Sequence, residues 1–211
     1  MPINHKKKFI YFHIPRCGGT SLQRHFNFHK PHDFYGARNN GDQVVTLHHL
    51  TATGLKQAGL IDDETLESYF KFTIIRDPFN RMASDYIWQK NHDIHNKFSD
   101  MSFDEYLQFA ERVMNNGLYF EKIHYDHFRP MIMYCVHEGE LLVDDILLLE
   151  KISQGINRIK DKIGDITLLR KNRSITSYEH LRTPQNIEKA YQLYSHDKAL
   201  YDNIVALENS I

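Results

Sequence analysis

The first segment that could do chemistry is FIYFHIPRCGGTSL, at residues 9–22, where an apolar run meets a glycine pair and polar side chains. Its candidate anion-binding residues are Arg16, Cys17, Gly18, Gly19, Thr20 and Ser21. Glycines let a backbone approach a ligand closely, the N–H groups at a helix start are unpaired, and arginine adds a charged fork of donors. The pattern predicts a phosphate-binding loop. The alternative is a strand-to-helix turn whose glycines serve packing, and a Walker A loop is excluded because no Gly-Lys-[Ser/Thr] follows.

A second segment, TIIRDPFNRMASDY at residues 73–86, adds an independent signal. Arg76 directly follows an apolar run, at the strand end where open α/β sheets bind ligands. Ser84 comes about two helical turns after Arg76, and Arg81 lies between the two residues in the sequence. The Ser84 hydroxyl can therefore face the same ligand as Arg76. An arginine and a hydroxyl that approach from two directions can hold one phosphate group. The alternative interpretation of this segment is a surface helix with salt bridges.

Two histidines, His48 and His49 in TLHHLTATG, lie at the end of a predicted strand between these two segments. The imidazole pKa lies near neutrality, so either residue suits a general base, with a structural histidine as the alternative. Other histidines recur at spacings of three or four residues, which suits zinc on one helix face: His25, His29 and His32, His92 and His95, and His124 and His127. No Cys cluster or His-Glu-x-x-His accompanies them, so we expect structural or surface roles and no metal site.

Apolar runs and turn residues predict the elements that position these side chains. Strands are expected at 9–14, 43–47, 72–75 and 146–149. Helices are expected at 53–70 with an interruption near Gly59, and at 102–113, 119–134, 152–163 and 184–204, with further helices beginning at Thr20 and Pro78. Asp77 before Pro78 is an N-cap followed by a proline at the first helical position. Strands that alternate with helices predict a single α/β domain, with a central parallel sheet and helices on both faces.

The composition narrows the class of protein. The chain has 211 residues, which suits one domain over 1–211, and a formal net charge of −1, so no global field attracts it to nucleic acid. Two cysteines, Cys17 and Cys135, do not make a disulfide framework, and the helix start beside Cys17 predicts a lowered thiol pKa. The apolar run at 9–14 is too short for a signal sequence or a membrane span, so we expect a cytoplasmic protein without a transmembrane segment.

The two anion-binding segments resemble those of one enzyme family. HIPRCGGTSL is similar to the sulfonate-side loop of carbohydrate sulfotransferases related to the heparan sulfate 2-O-sulfotransferases (sulfotransferase family 2), and IIRDPFNRMASDY resembles their 3′-phosphate-binding segment. Weaker similarity continues through ILLLEKI, LLRKNRS and HDKALYD. These enzymes have a P-loop-like three-layer fold and use 3′-phosphoadenosine 5′-phosphosulfate (PAPS) as sulfuryl donor, with no metal required. The resemblance implies a PAPS-dependent enzyme of polysaccharide biosynthesis, with a carbohydrate or glycolipid acceptor.

The resemblance also implies roles for individual residues. It assigns the 5′-phosphosulfate to Arg16, Gly18, Gly19, Thr20 and Ser21, the 3′-phosphate to Arg76 and Ser84, and a loop that closes over the nucleotide to Arg170, Lys171 and Arg173. His49 matches the catalytic histidine of the family, which lies in a His-x-Thr/Ser pattern, and His48 is the reserve candidate. The family has lysine where this chain has Arg16, and arginine keeps the charge but is a poor proton donor.

Two alternatives to sulfuryl transfer stay open from the sequence. The first is a catalytically weak or inactive nucleotide-binding protein of the same fold, in which Arg16 marks the lost chemistry. The second is a P-loop-type kinase. Two observations argue against it: the Walker A lysine is missing, and no clear Mg²⁺-binding aspartate follows a strand. Because no membrane anchor was found, unlike in the Golgi-resident relatives, the resemblance implies a bacterial-type cytoplasmic enzyme.

Overall fold

The computed structural model describes residues 3–26, 35–92, 96–166 and 178–210. The strands are β1 (Ile3–Asn4), β2 (Phe9–Phe12), β3 (Ala37–Asn40), β4 (Gln43–Thr46), β5 (Phe70–Ile75), β6 (Val136–His137), β7 (Glu140–Leu141) and β8 (Asp145–Leu148). The helices are α1 (Gly19–His25), α2 (Ala52–Gln57), α3 (Asp63–Ser68), α4 (Pro78–His92), α5 (Phe103–Asn115), α6 (Ile132–Cys135), α7 (Ile152–Ile163), α8 (Pro184–Leu193) and α9 (Ser195–Ser210). Short 3₁₀ turns cover Leu47–His49, Leu118–Phe120, Tyr125–Phe128, Leu149–Lys151 and Glu179–Leu181.

The central sheet has the order β1-β2-β5-β8. The last three strands run parallel, and β1 pairs antiparallel with β2 at the edge. Their residues are almost all buried, as expected for parallel strands covered on both faces. Helices flank the sheet, so the predicted α/β fold with a central parallel sheet is confirmed. The carboxyl ends of β2, β5 and β8 therefore lie side by side, and each leads into a loop or turn.

The described helices include none that is both long enough and apolar enough to cross a membrane.

A second apolar core lies beside the sheet core and is formed mainly by α4, α5, α8 and the Tyr125–Phe128 turn. Local signals set several helix starts, as at α4, where the Asp77 carboxylate accepts the Asn80 amide hydrogen at 2.9 Å and Pro78 begins the helix. The predicted cap at Asp77 is thus confirmed.

The strand predicted at 43–47 forms as β4, but not in the central sheet. It pairs antiparallel with β3, and Asn40 faces Gln43 across a two-residue turn. Gly41, with φ of 62°, begins this turn. Gly-Asp at the two central positions of a turn between extended segments is a hairpin signal, so the chain folds back on itself here and does not cross to the central sheet.

Three predicted helices are wrong in extent. The 53–70 segment forms two helices, α2 and α3, which are separated near Gly59 (φ of 63°), and Phe70 already begins β5. The 119–134 segment is not one helix but two 3₁₀ turns followed by α6. His124 has a positive φ of 68° and Pro130 lacks an amide hydrogen, so neither position continues a helix. The 184–204 helix is divided into α8 and α9 at Tyr194, whose ring is buried and whose hydroxyl donates to the carbonyl of Phe128 at 3.0 Å. The break between α8 and α9 therefore falls at a residue that packs into the interior of the protein.

A buried arginine, Arg81 on α4, joins three separate segments of the chain. Its guanidinium donates to the carbonyls of Pro15 at 3.3 Å, His127 at 2.8 Å and Arg129 at 2.8 Å. It also faces the Asp197 carboxylate at 3.7 Å, and both side chains are almost fully excluded from solvent. Arg81 therefore holds the loop after β2 against the 127–129 segment and α9, and is not free to bind a ligand.

We expect Arg81→Met to lower the free energy of unfolding by about 3–5 kcal/mol, because it leaves the Asp197 charge buried without its partner. Arg24→Met, the same change at an exposed position of α1, should alter stability by less than about 0.5 kcal/mol. Urea unfolding followed by circular dichroism measures both. Equal stability of the two variants would contradict the structural role of Arg81.

Candidate active site

The loop after β2 is packed tightly against the protein itself. Gly18 has a φ of 81°, a conformation that favours glycine, and a Cβ added there would lie 2.5 Å from a Leu149 methyl carbon. A Cβ on Gly19 would lie 2.0 Å from the His13 ring. Packing therefore accounts for both glycines, which was one of the two interpretations of this segment. Thr20 is exposed and Ser21 half-buried at the start of α1, so both can still face a ligand.

Arg16 points from this loop towards α4. Its Nε and Nη2 atoms donate to the Ser84 hydroxyl oxygen at 3.3 Å and 3.1 Å, and its guanidinium lies 5.7 Å from the Trp88 ring centroid. Arg16 also has a positive φ of 64°, uncommon for a residue with a side chain. Since Ser84 accepts both bonds, its own hydroxyl hydrogen is available to donate to a ligand oxygen.

Arg76 follows β5 directly and lies against the same loop. Its Nη1 atom donates to the Arg16 carbonyl at 3.3 Å, while Nη2 donates to the Tyr178 hydroxyl. The guanidinium also lies 5.6 Å from the Tyr178 ring centroid. The structure thus brings Arg16, Ser84 and Arg76 together, although β2 and α4 are far apart in sequence, and it adds Tyr178 to the site.

Cys17 does not have the properties expected from its position near a helix start. Its side chain is completely buried, its thiol lies 3.8 Å from the Met131 sulfur, and its amide donates to the Ile14 carbonyl. Burial raises the pKa of the thiol to about 12. The expected lowered pKa is therefore wrong, because desolvation outweighs the nearby positive charges. With its thiol and amide both engaged inside the protein, Cys17 is a packing residue and not a ligand.

His49 is buried at the end of the Leu47–His49 turn and is held by a carboxylate. Its Nδ1 atom lies 2.7 Å from Oδ2 of Asp126. Burial lowers the pKa of His49 well below its usual value, and neighbouring histidines lower it further, so the ring is neutral near pH 7. A neutral ring facing a carboxylate carries its proton on Nδ1, which leaves the Nε2 lone pair for another proton.

A parallel pair is formed by His127 and Asp85. Nδ1 of His127 lies 2.7 Å from Oδ1 of Asp85, whose other oxygen accepts the Tyr106 hydroxyl at 2.6 Å. Burial raises the pKa of Asp85, but His127, Arg16 and Tyr106 together outweigh it and hold that pKa below its usual value. Asp85 is therefore ionised at neutral pH.

The two histidine–carboxylate pairs lie side by side and connect to Arg16. The rings of His49 and His127 are 5.3 Å apart, and Trp88 lies 5.2 Å from His127 on the side of Arg16. A continuous set of contacts thus leads from the loop after β2 to the candidate base.

Four histidines lie around the candidate base His49, and we call the five residues His13, His48, His49, His124 and His127 the histidine cluster. The rings of His13 and His48 lie 4.9 Å and 4.1 Å from that of His49. Burial lowers the pKa of His48 to about 3, and lowers that of His13 well below its usual value with a further contribution from His49. His48 stacks on Tyr35 and its Nδ1 accepts the Gly36 amide hydrogen, so of the two adjacent histidines it is the one used in packing.

Several features of the site were not recognisable from the sequence. Asp126, Asp85, Trp88 and Tyr178 were not singled out, and His127 was noted only for its spacing from His124. No glycine, strand end or repeat marks Asp126, so a local pattern offers no signal for it. The candidates Arg170, Lys171 and Arg173 lie outside the described residues.

Comparison with known proteins places the chain in a family. The sequence model of the sulfotransferase family matches residues 1–202. No curated protein and no solved structure matches the chain at a significant level. Since the match covers nearly all of the 211 residues, the chain belongs to the sulfotransferase family.

The buried neutral histidines predict a pH-dependent stability. His13, His48 and His49 have folded-state pKa values below about 6.5, the value in an unfolded chain, so the unfolded state binds more protons below that pH. The free energy of unfolding should therefore fall on acidification, by up to about 1.4 kcal/mol per pH unit for each histidine. Urea titrations between about pH 7 and about pH 5 measure this slope, which His48→Gln should make shallower. A flat profile would show that these rings are protonated as easily in the folded protein.

Proposed function

We propose that this member of the sulfotransferase family transfers a sulfuryl group from PAPS to a hydroxyl group of a carbohydrate or glycolipid. In this reaction the acceptor oxygen forms a bond to sulfur as the bond between sulfur and the bridging phosphate oxygen breaks. 3′-Phosphoadenosine 5′-phosphate leaves with the electron pair, and the acceptor hydroxyl loses its proton to a base. The protein must therefore bind two phosphate groups, stabilise the leaving charge and hold a base beside the acceptor.

The convergence of Arg16 and Arg76 carries the proposal. These arginines come from the ends of two adjacent parallel strands and meet through the bond from Arg76 to the Arg16 carbonyl. A guanidinium group binds phosphate through a planar fork of donors and stays charged at any working pH. Two such groups at one sheet edge suit a ligand with anionic groups at both its 5′ and its 3′ positions, as PAPS has.

Arg16 is assigned to the leaving phosphate. The two bonds to Ser84 and the contact with Trp88 fix the direction of its guanidinium, which reduces the entropy lost when it binds an anion. Its charge stabilises the negative charge that develops on the phosphate oxygen, but the group does not donate a proton. Thr20 and Ser21 at the start of α1, with Gly18 and Gly19, complete the sulfonate side, and Arg76 with the Ser84 hydroxyl takes the 3′-phosphate.

His49 is assigned as the general base. The Asp126 carboxylate fixes the ring through Nδ1, so that Nε2 accepts the proton of the acceptor hydroxyl. Asp126 also stabilises the imidazolium that forms during transfer, which offsets the effect of burial on the His49 pKa. Asp126 acts through His49 and is a positioning residue, while His48 is the reserve candidate for the base.

The acceptor class and a cytoplasmic location follow from the resemblance to the carbohydrate sulfotransferases. Arg170, Lys171 and Arg173 are retained as candidates for closing over the nucleotide on the same ground. Asp77, the carboxylate next to Arg76, caps α4 and accepts the Tyr191 hydroxyl at 2.7 Å. It is thus used in the fold and is poorly suited to the Mg²⁺ site of a kinase.

Nucleotide binding is tested by thermal unfolding with 3′-phosphoadenosine 5′-phosphate. Saturating ligand, at about 100 times its dissociation constant, should stabilise the protein by about 2.7 kcal/mol, and ATP should do so much less because it lacks a 3′-phosphate. Arg76→Ala should weaken binding about 10- to 100-fold, since it removes charged hydrogen bonds. The control Arg24→Ala, at an exposed position of α1, should bind as the native protein does. Equal stabilisation by ATP, or none by either nucleotide, would count against the proposal.

The base is tested by His49→Gln and Asp126→Asn. Each should lower kcat by about 10²- to 10⁴-fold, because proton removal is lost or the imidazole is misoriented, while the affinity for 3′-phosphoadenosine 5′-phosphate is kept. Transfer of radiolabelled sulfate from PAPS to a panel of cell-envelope glycans and glycolipids measures kcat. Calorimetry measures the affinity for 3′-phosphoadenosine 5′-phosphate.

The matched control is His5→Gln, whose exposed ring contacts Tyr69 near the opposite end of the sheet and should leave both quantities unchanged. Unchanged turnover in His49→Gln would eliminate His49 as the base. Tight nucleotide binding without transfer to any acceptor would instead favour the catalytically inactive nucleotide-binding protein.

A further inference from the structure

Three buried side chains of the site also have the composition of a metal site. One possible ligand atom from each of His49, Asp126 and His127 lies within 4.8 Å of the other two, and all three residues are buried. The proposed sulfuryl transfer uses His49 and Asp126 but gives no task to His127. Two imidazoles and one carboxylate are the protein ligands of many zinc sites that keep a fourth position open.

The surroundings of these three residues match those of metal ligands. The Asp85 carboxylate holds His127 through Nδ1 at 2.7 Å, the kind of outer contact that orients a metal-bound imidazole. Oδ1 of Asp126 is buried and has no hydrogen-bond partner among the described residues, although a buried carboxylate oxygen normally has one. Asp126 and Asp85 together supply two negative charges, which balance those of a divalent cation.

We propose that His49, Asp126 and His127 bind one zinc ion. Zinc bonds of about 2.0–2.2 Å in a tetrahedron bring ligand atoms to about 3.3 Å from one another, so small side-chain rotations must close the cluster around the ion. The fourth position is left to a water molecule or to a neighbouring imidazole, since the rings of His13 and His48 lie 4.9 Å and 4.1 Å from that of His49. Mg²⁺ and Ca²⁺ are excluded as natural occupants because they require six or more mainly oxygen ligands.

The consequence for activity rests on the proposed function. A zinc ion bound through His49 and Asp126 removes the orientation of the base and its freedom to take a proton. Zinc is therefore an inhibitor of the proposed transfer and not a cofactor of it. Binding of the ion itself does not depend on the reaction, so the zinc site and the proposed sulfuryl transfer can be rejected separately.

The test is direct titration of untagged protein, freed of metal by a chelator, with Zn²⁺ in competition with a colorimetric zinc indicator. We expect one ion per chain, and affinity at least about 10-fold lower in Asp126→Asn and in His127→Gln. His5→Gln, at the opposite end of the sheet, should bind as the native protein does, and Mg²⁺ at the same concentration should not compete. No stoichiometric binding, or unchanged affinity in both cluster variants, overturns the proposal.

Cobalt gives a second measurement that needs no variant. Co²⁺ in the native protein should show the intense visible absorption of a tetrahedral site, and Zn²⁺ should abolish it; a weak octahedral spectrum overturns the proposal even if the variants do not fold. The response to 3′-phosphoadenosine 5′-phosphate, measured in the presence of a chelator, reports separately on the proposed function. Failure of zinc binding with intact nucleotide binding rejects only the metal site, and the reverse result rejects only the donor assignment.

Discussion

The buried guanidinium of Arg81 holds together the parts of the chain from which the site is made. It binds carbonyl oxygens of the loop after β2 and of the 127–129 segment, and it lies opposite Asp197 at the start of α9. Asp197 in turn accepts the amide hydrogens of Met131 and Ile132 at 2.8 Å and 2.9 Å. A charge removed from water must be matched by partners at good geometry, so these segments have little freedom to move independently. The loop after β2 and the segment that carries Asp126 and His127 are thus fixed relative to one another.

Burial disfavours the charged form of every ionisable group in this frame, but the carboxylate Asp85 has partners that outweigh it and the buried histidines His13 and His49 do not. The histidines become neutral, because desolvation disfavours their charged form, and so keep lone pairs for protons or metal ions. Asp85 stays ionised despite burial, because His127, Arg16 and Tyr106 offset the cost. The result is one neutral base, His49, held by the Asp126 carboxylate in the same site as the guanidinium groups of Arg16 and Arg76. This arrangement suits the proposed sulfuryl transfer, and His49 and Asp126 are also two of the three residues proposed to bind zinc.

Local sequence signals predicted the elements that carry Arg16 and Arg76. An apolar run before a glycine pair, and another before Asp77 and Pro78, each specify a strand, a turn and a helix start within a few residues. The same reasoning failed at 119–134, where aromatic residues recur at helical spacing but His124 and Pro130 interrupt the backbone. It predicted the 43–47 strand but not its partner, which is β3 across the turn at Gly41.

The sequence by itself determined the α/β fold, the two strand-end arginines and the histidine pair at 48 and 49, since each depends on short segments whose chemistry is local. Only the tertiary structure decided what those residues meet. Asp126 lies 77 positions from His49 and joins it through a single buried bond, a contact that no spacing or periodicity encodes. Whether Cys17 is reactive or inert was settled in the same way. Its pKa is raised because packing excludes water from the thiol. Which side chains are excluded from water is decided by the fold and not by the residues beside them in the sequence.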